Sequence, residues 1–549
     1  MKKCFANEVN HPHSSMQNFE IIILVLTFLV ILLSFADKFR LPSPVLLVLM
    51  GLCIGFIPAM PSVVLSPEVV FFLFLPPILY DAASHTSWHE FKTEIRPIAT
   101  LAIALVFFTT VTVAVASHYF IPGFTWALGF VLGAIVSPPD AVAATSITKG
   151  LGLNRRVVTI LEGESLVNDA SALIAYKFAI AAIGTGTFIF WQAGLNFLVD
   201  VSGGIITGIA IGFIFIFIHK KVVNNSIIST SLTLLTPFIS HLTAEHLHFS
   251  GVLSVVSTGM MMSWRAPDVF SYQTRIRNKA VWDTIIFLIN GFIFILIGLQ
   301  LPSILTDLGE YSFLDLVKYA LIVSTVTIIV RILWVFISAF PPWARSAKAR
   351  QDDDTWKNVL IVAWTGTRGV VSLATSLALP LTLIDGTLFP NRSLILFLAF
   401  VVIFVTLVVQ GMSLPLLIRA LRIEKKVSPS AEEEELRLLV ANQTLNFVDN
   451  EFPYELNEHV KTRIRKQYVD LIEILSKIPH PPTHINSVIP AMSDYLKAQF
   501  EIHQFERNLL IRYHKEGTFN QSTLRRLEQE LDHEELRFNQ RRKKNKSGL

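Results

Sequence analysis

Apolar runs of about twenty residues recur along the first four-fifths of this chain, each the length one α-helix needs to cross the hydrocarbon of a bilayer. That pattern leaves little choice of architecture. Backbone N–H and C=O groups inside a bilayer must be satisfied within the spanning structure, and long continuous apolar runs do this as helices. Thirteen spans are predicted, at roughly 19–36, 42–60, 67–82, 97–118, 125–145, 157–181, 191–218, 226–245, 250–264, 281–300, 313–339, 358–380 and 391–418. The short third and ninth read as interrupted, by Pro76-Pro77 and by Gly259. Composition agrees: charged residues make up 16%, against about 25% in soluble domains. The two cysteines, Cys4 and Cys53, give no disulfide framework, and Cys53 is expected to be a small packed side chain. No small-residue cleavage site follows the first run, so no cleavable signal peptide is expected.

Loop charges set the orientation. Alternate loops hold Lys38 and Arg40; Lys92 and Arg96; Lys149, Arg155 and Arg156; Lys220 and Lys221; Arg265, Arg275, Arg277 and Lys279; and Arg345, Lys348, Arg350 and Lys357. The opposite set holds Arg392 between spans. The positive-inside rule places the first set in the cytoplasm together with the C-terminal tail, and the N-terminal segment 1–18 outside. Lys2 and Lys3 oppose this weakly. The expected location is the inner membrane of a bacterium.

From about Val427 the composition turns polar. Ser430-Ala431-Glu432-Glu433 reads as a capping box opening a charged helix. Helical patterns run to about Lys477, and after Pro479, Pro481 and Pro482 from Ser487 to Asn539. Leu524, Leu527 and Leu531 suggest an amphipathic surface. The tail 427–549 is therefore read as a helical cytoplasmic segment. Its basic end, Arg541 to Lys546, is either a solvated tail or a contact for anionic lipid headgroups. No basic-aromatic pattern argues for nucleic acid.

Polar groups within the apolar runs narrow the function. The sixth span carries Leu161-Glu162-Gly163-Glu164-Ser165-Leu166-Val167-Asn168-Asp169-Ala170. Carboxylates at bilayer depth are costly and mark ion or proton pathways. Ser165 and Asp169 are four residues apart and share a helix face. Asp169 is read as the titrating group of an ion transporter. The fifth span contains Val136-Ser137-Pro138-Pro139-Asp140. Two prolines delete two donors and break the helix, freeing carbonyls that, with Asp140, are the oxygen ligands hard cations prefer. The twelfth contains Thr365-Gly366-Thr367-Arg368-Gly369, where two glycines weaken the helix around a buried arginine. Glu164 is expected to be the anion for Arg368. The third span ends in Tyr80-Asp81, either an interfacial acid reaching water or a charge lining a cation funnel. Spans 5 and 12 occupy corresponding places in spans 1–6 and 8–13, and the offset of seven inverts one half relative to the other. Paired broken helices in inverted halves point to a transport site. Lys177 is expected to pair or snorkel, and Arg331 to be a second structural charge.

Four segments resemble the sodium/proton exchangers of the monovalent cation:proton antiporter family, over about residues 19–420. They are Glu164 to Asp169, Pro138 to Ala143, Gly366 to Ala374, and Leu75 to Ile78 followed by an acid. This chain has Pro139-Asp140-Ala141 where the family often has Thr-Asp-Pro, and Asp81 where it usually has Glu. The resemblance implies that Asp169 binds the cation or the proton, and that Asp140 and Ser165 complete the cation shell with Asp81 at its cytoplasmic edge. It also implies that Asn168 holds the unwound segments and that Glu164 and Arg368 pair. It implies a dimer, with spans 4–6 and 11–13 as the moving bundle and spans 1–3 and 7–10 as the scaffold. No cofactor is expected; Na+ and H+, or Li+ or K+, are the cargo.

One carboxylate serving two cations in turn gives exchange, and it must be neutralised to cross low dielectric. Asn168, not a second acid, neighbours Asp169, so electroneutral exchange is expected. Potassium/proton exchange, a cation channel and an intramembrane aspartyl protease using Asp81 and Asp169 are the alternatives.

Overall fold

In a computed structural model, the described residues are essentially 43–57, 67–86, 88–140, 155–185, 190–222, 225–309, 311–339, 355–383, 386–421, 445–451 and 458–476, with 27 and 29–31 from the first span. They are helical, with one isolated antiparallel bridge between Thr382 and Leu388.

The first helices are α1 (Ser43–Gly55), α2 (Pro67–Leu73), α3 (Leu75–His85), α4 (Trp88–Thr93) and α5 (Ile95–Phe120), the last with a π-helical turn at Thr100–Ala104. Next come α6 (Trp126–Val136), α7 (Arg155–Thr185), α8 (Phe190–Lys221), α9 (Ser226–His246) and α10 (Gly251–Val269). The unit closes with α11 (Tyr272–Asp307), α12 (Phe313–Ala339), α13 (Thr355–Trp364), α14 (Val370–Leu377) and α15 (Arg392–Ala420), which has a second π-helical stretch at Thr406–Gly411. Seven of these, α5, α7, α8, α9, α11, α12 and α15, are long and apolar enough to cross a membrane unaided. Spans 3 and 12 are divided into shorter pieces and span 5 leaves the helix after Val136, so length alone does not return thirteen among the described residues.

The helix ends follow side-chain chemistry. Thr125, Asn225, Ser250 and Ser271 sit at the N-caps of α6, α9, α10 and α11, each accepting a backbone N–H that the first turn leaves unpaired. Span 3 breaks at Phe74, and the prolines after it open α3, where a missing N–H costs nothing. The ninth span departs from expectation. It is a continuous helix through Gly259, and a Cβ there would sit 2.7 Å from the Cβ of Ala83 and 3.1 Å from the carbonyl oxygen of Tyr80. Gly259 marks a close helix crossing, not an interruption.

The largest buried cluster joins residues of α1, α5, α6, α11, α12, α14 and α15. A second joins Leu75, Leu79, Tyr80 and Ala83 of α3 to Leu166, Ala170, Leu173 and Ile174 of α7 and to Val252 and Val256 of α10. Between α8, α9 and α10 the contact is polar inside: the Ser240 hydroxyl meets those of Ser254 and Thr258, each at 2.8 Å, and Thr258 donates to the Gly208 carbonyl at 2.8 Å. Cys53 is exposed on α1, contrary to expectation; a small apolar thiol needs no protein cover on a lipid-facing helix side.

A second compact unit comprises Glu424–Leu549. Its α16 (Glu458–Ser476) presents Arg465 to Asp449 at 3.4 Å. The Ser430 capping box, the Leu524 to Leu531 stripe and the basic end lie outside the described residues.

Candidate functional site

Two breaks in the helical ladder meet. α6 stops at Val136, and Ser137–Asp140 leave the helix, as two successive prolines require. α13 stops at Trp364 and α14 starts at Val370, with Thr365–Gly369 non-helical between them. Buried backbone polar groups demand partners, and the two breaks supply them to each other. The Asp140 N–H donates to the Thr367 carbonyl at 2.7 Å, and the Thr367 hydroxyl donates back to the Asp140 carbonyl at 3.2 Å. The Val136 carbonyl takes the Nε–H of Arg368 at 2.7 Å, and the Pro138 carbonyl takes a weak bond from Ser372 at 3.5 Å.

α7 passes beside this crossing. Asn168, with no exposed surface, donates its side-chain amide to the Pro139 carbonyl at 3.0 Å, and its Oδ1 has no hydrogen-bond partner among the described residues. Asp169 is buried, and its carboxylate lies within electrostatic reach of Asp140. Ser165, one turn earlier, is half-buried. Asp140 and Asp169 are thus brought together by the break that Pro138 and Pro139 create. Gly369 is part of the same construction: a Cβ there would overlap the Asp140 carboxylate. The result is a largely buried cluster of carboxylate, amide and carbonyl groups in which the charges of Asp140 and Asp169 oppose each other.

One expected pair is different. Glu164 does not pair with Arg368. It receives both guanidinium ends of Arg331, at 2.5 and 3.0 Å, with all three residues buried. Arg331 also donates to the Val362 carbonyl at 3.1 Å. Arg368 turns instead to carbonyls, those of Val136 and Gly366, while its own N–H donates to the Thr406 hydroxyl. The physical reason is supply: the helix break leaves carbonyls near Arg368 that need donors, whereas Arg331 on α12 has an intact helix around it and needs a carboxylate fork.

Asp81 stands apart from this crossing. The Nδ1 of His85 lies 3.5 Å from its carboxylate, and Asp283 also acts on its charge. Neighbouring Tyr80 stacks on Trp282 at 5.1 Å. The sequence reading missed Thr367 and Thr406 as partners of the breaks. Thr367 lay within the quoted motif; Thr406 carried no signal.

A family model described as sodium/hydrogen exchanger, transmembrane, matches residues 24–420. This chain belongs to the sodium/hydrogen exchanger family. A protein of Bacillus pumilus named as a sodium, potassium, lithium and rubidium/H(+) antiporter is 33% identical over 411 residues, covering 72% of this chain and 61% of that one. The match thus spans less than two thirds of that relative's length. The Na(+)/H(+) antiporter NhaH of Halobacillus aidingensis is 30% identical over 423 residues, covering 73% of this chain and 97% of its own. The solved structure of the sodium proton antiporter MjNhaP1 from Methanocaldococcus jannaschii at pH 8 shares the fold, with a TM-score of 0.58 at 20% identity over 74% of this chain and 99% of that one. The family is one of transporters rather than enzymes, which removes the protease alternative.

Proposed function

We propose that this protein is a secondary antiporter that exchanges Na+, or Li+, for H+ across a membrane, electroneutrally, with cation and proton competing for Asp169. The observation that carries the reading is the placement of Asp169. It is buried beside Asp140, where two broken helices cross. The buried Asp169 carboxylate cannot remain charged there without a counter-cation except at large cost. Cargo binding and neutralisation are then the same event, and the loaded site is the one able to move.

In this reading Asp169 takes cation and proton in turn, Asp140 and Ser165 complete the cation shell, and Asp81 lies on the cytoplasmic approach. Asn168 tethers the broken segment opened by Pro138 and Pro139. Glu164 with Arg331, and Arg368 with its carbonyls, hold the frame. Spans 4–6 and 11–13 form the moving bundle, and spans 1–3 and 7–10 the scaffold of a homodimer. The protein lies in a bacterial inner membrane with its N-terminus outside and its tail in the cytoplasm, and serves intracellular pH and sodium homeostasis. The named cargo of the Bacillus pumilus relative favours a second reading, in which K+ is also carried.

The test is exchange in proteoliposomes with Na+, Li+ and K+ supplied separately at several pH values. Asp169→Asn is expected to abolish exchange with all three. Residual pH-dependent uptake in that variant would refute the assignment. A steady current would refute electroneutrality, and uptake indifferent to the proton gradient would indicate a channel.

A further inference from the structure

A cleft of about 220 Å³ lies between α7, α8, α9 and α10, lined by Leu173, Lys177, Asp200, Glu245, His248 and Val252 among others. It stands over the same face of α7 that carries Asp169. Leu173 and Lys177 follow Asp169 at four and eight residues, about 6 and 12 Å further along the helix. Leu173 is buried between Asp169 and the cleft. Across the cleft the Lys177 ammonium donates to the Glu245 carboxylate at 2.7 Å, joining α7 to α9. Asp200 on α8 faces the same pair, and both Lys177 and Glu245 act on its charge. With the histidines neutral, two carboxylates meet one ammonium, so the cleft carries one net negative charge. Its mouth is at the end of α7 away from Arg155 and Arg156, the outer side in the proposed orientation.

We propose that this cleft is the outer antechamber of the exchange route, and that Lys177 is a built-in cation which an incoming monovalent ion must displace from Glu245. The inference rests on the reading of Asp169 as the exchange site. When Lys177 holds Glu245, it pins α7 to α9 and Leu173 seals the way to Asp169. When a cation from outside takes Glu245 and Asp200, the strut is released. Lys177 and Glu245 are half-exposed, so replacing either leaves no buried charge behind and the variants are expected to fold.

The test uses the full chain with Cys4 and Cys53 replaced by serine and a reporter thiol at Leu173→Cys, with Val252→Cys as a second reporter. Intact cells are treated with a membrane-impermeant thiol reagent, and exchange is measured in right-side-out vesicles. Labelling is expected to be slow in the parent and to rise in both Lys177→Gln and Glu245→Gln. The outer half-saturating cation concentration should move oppositely, falling in Lys177→Gln and rising in Glu245→Gln by roughly two- to fivefold, the scale of an exposed ion pair. Unchanged labelling of both reporters, or a shift of the outer constant in the same direction in both variants, would overturn the proposal. Labelling needs no turnover, so it also reads the cleft in an Asp169→Asn background. Failure of exchange chemistry at Asp169 is thereby told apart from failure of the antechamber.

Discussion

Asn168 donates its side-chain amide to the Pro139 carbonyl at 3.0 Å, so the helix bearing Asp169 is tied directly to the break beside Asp140. Replacing Asn168 by alanine leaves a buried carbonyl without a donor, a loss of about 1–3 kcal/mol. The expected outcome is a lower unfolding temperature in detergent together with a loss of exchange. Normal exchange at normal stability would show that the tether is dispensable.

The bidentate pair between Glu164 and Arg331 is the most deeply buried ion pair described. Removing one member strands a charge at a cost of about 3–5 kcal/mol. Glu164→Ala is therefore expected to collapse the yield of monodisperse protein. Glu164→Ala with Arg331→Ala should recover much of it, whereas Arg331→Lys, which keeps the charge but loses the fork, should recover little. Equal yields for the single and double variants would contradict the pairing.

Gly369→Ala places a methyl group where the Asp140 carboxylate lies. The methyl would overlap the Asp140 Cβ as well as its carboxylate, so the backbone of the break must shift along with the side chain. We expect the half-saturating cation concentration to rise and the unfolding temperature in detergent to fall. Wild-type cation affinity in this variant would remove Asp140 from the cation shell.

Competition at Asp169 fixes the sign of the pH effect. As pH falls, protons occupy the site, so the half-saturating Na+ concentration should rise, by up to about tenfold per pH unit for one shared proton. The rate at saturating Na+ should change less. Initial rates in vesicles at several pH values decide this; a constant half-saturation with a falling maximal rate would point to separate sites.

Much of the fold could be read from the residues because bilayer helices declare themselves by length and composition. The eighth span, expected at 226–245, is the helix Ser226–His246, and the eleventh, expected at 313–339, is Phe313–Ala339. The breaks were legible for the same elementary reason: Pro138-Pro139 and the glycines around Arg368 are chemically unable to sustain an unperturbed ladder. Pairing across the bundle was not. Glu164 lies 167 residues from Arg331, and nothing local ranks Arg331 above Arg368 as its partner. Nor does periodicity reveal that Gly259 serves a close crossing, since a neighbouring helix, not the local ladder, sets that need.

The reciprocal bonds between Asp140 and Thr367 have a mechanical corollary. Each chain break uses the other as its missing turn, and a third helix is stitched to one of them through Asn168 and Pro139. Sliding any one of the three past the others would strip several buried backbone groups of their partners at once. The ion's cradle therefore has to travel whole, and slippage belongs at the greasier seams around it.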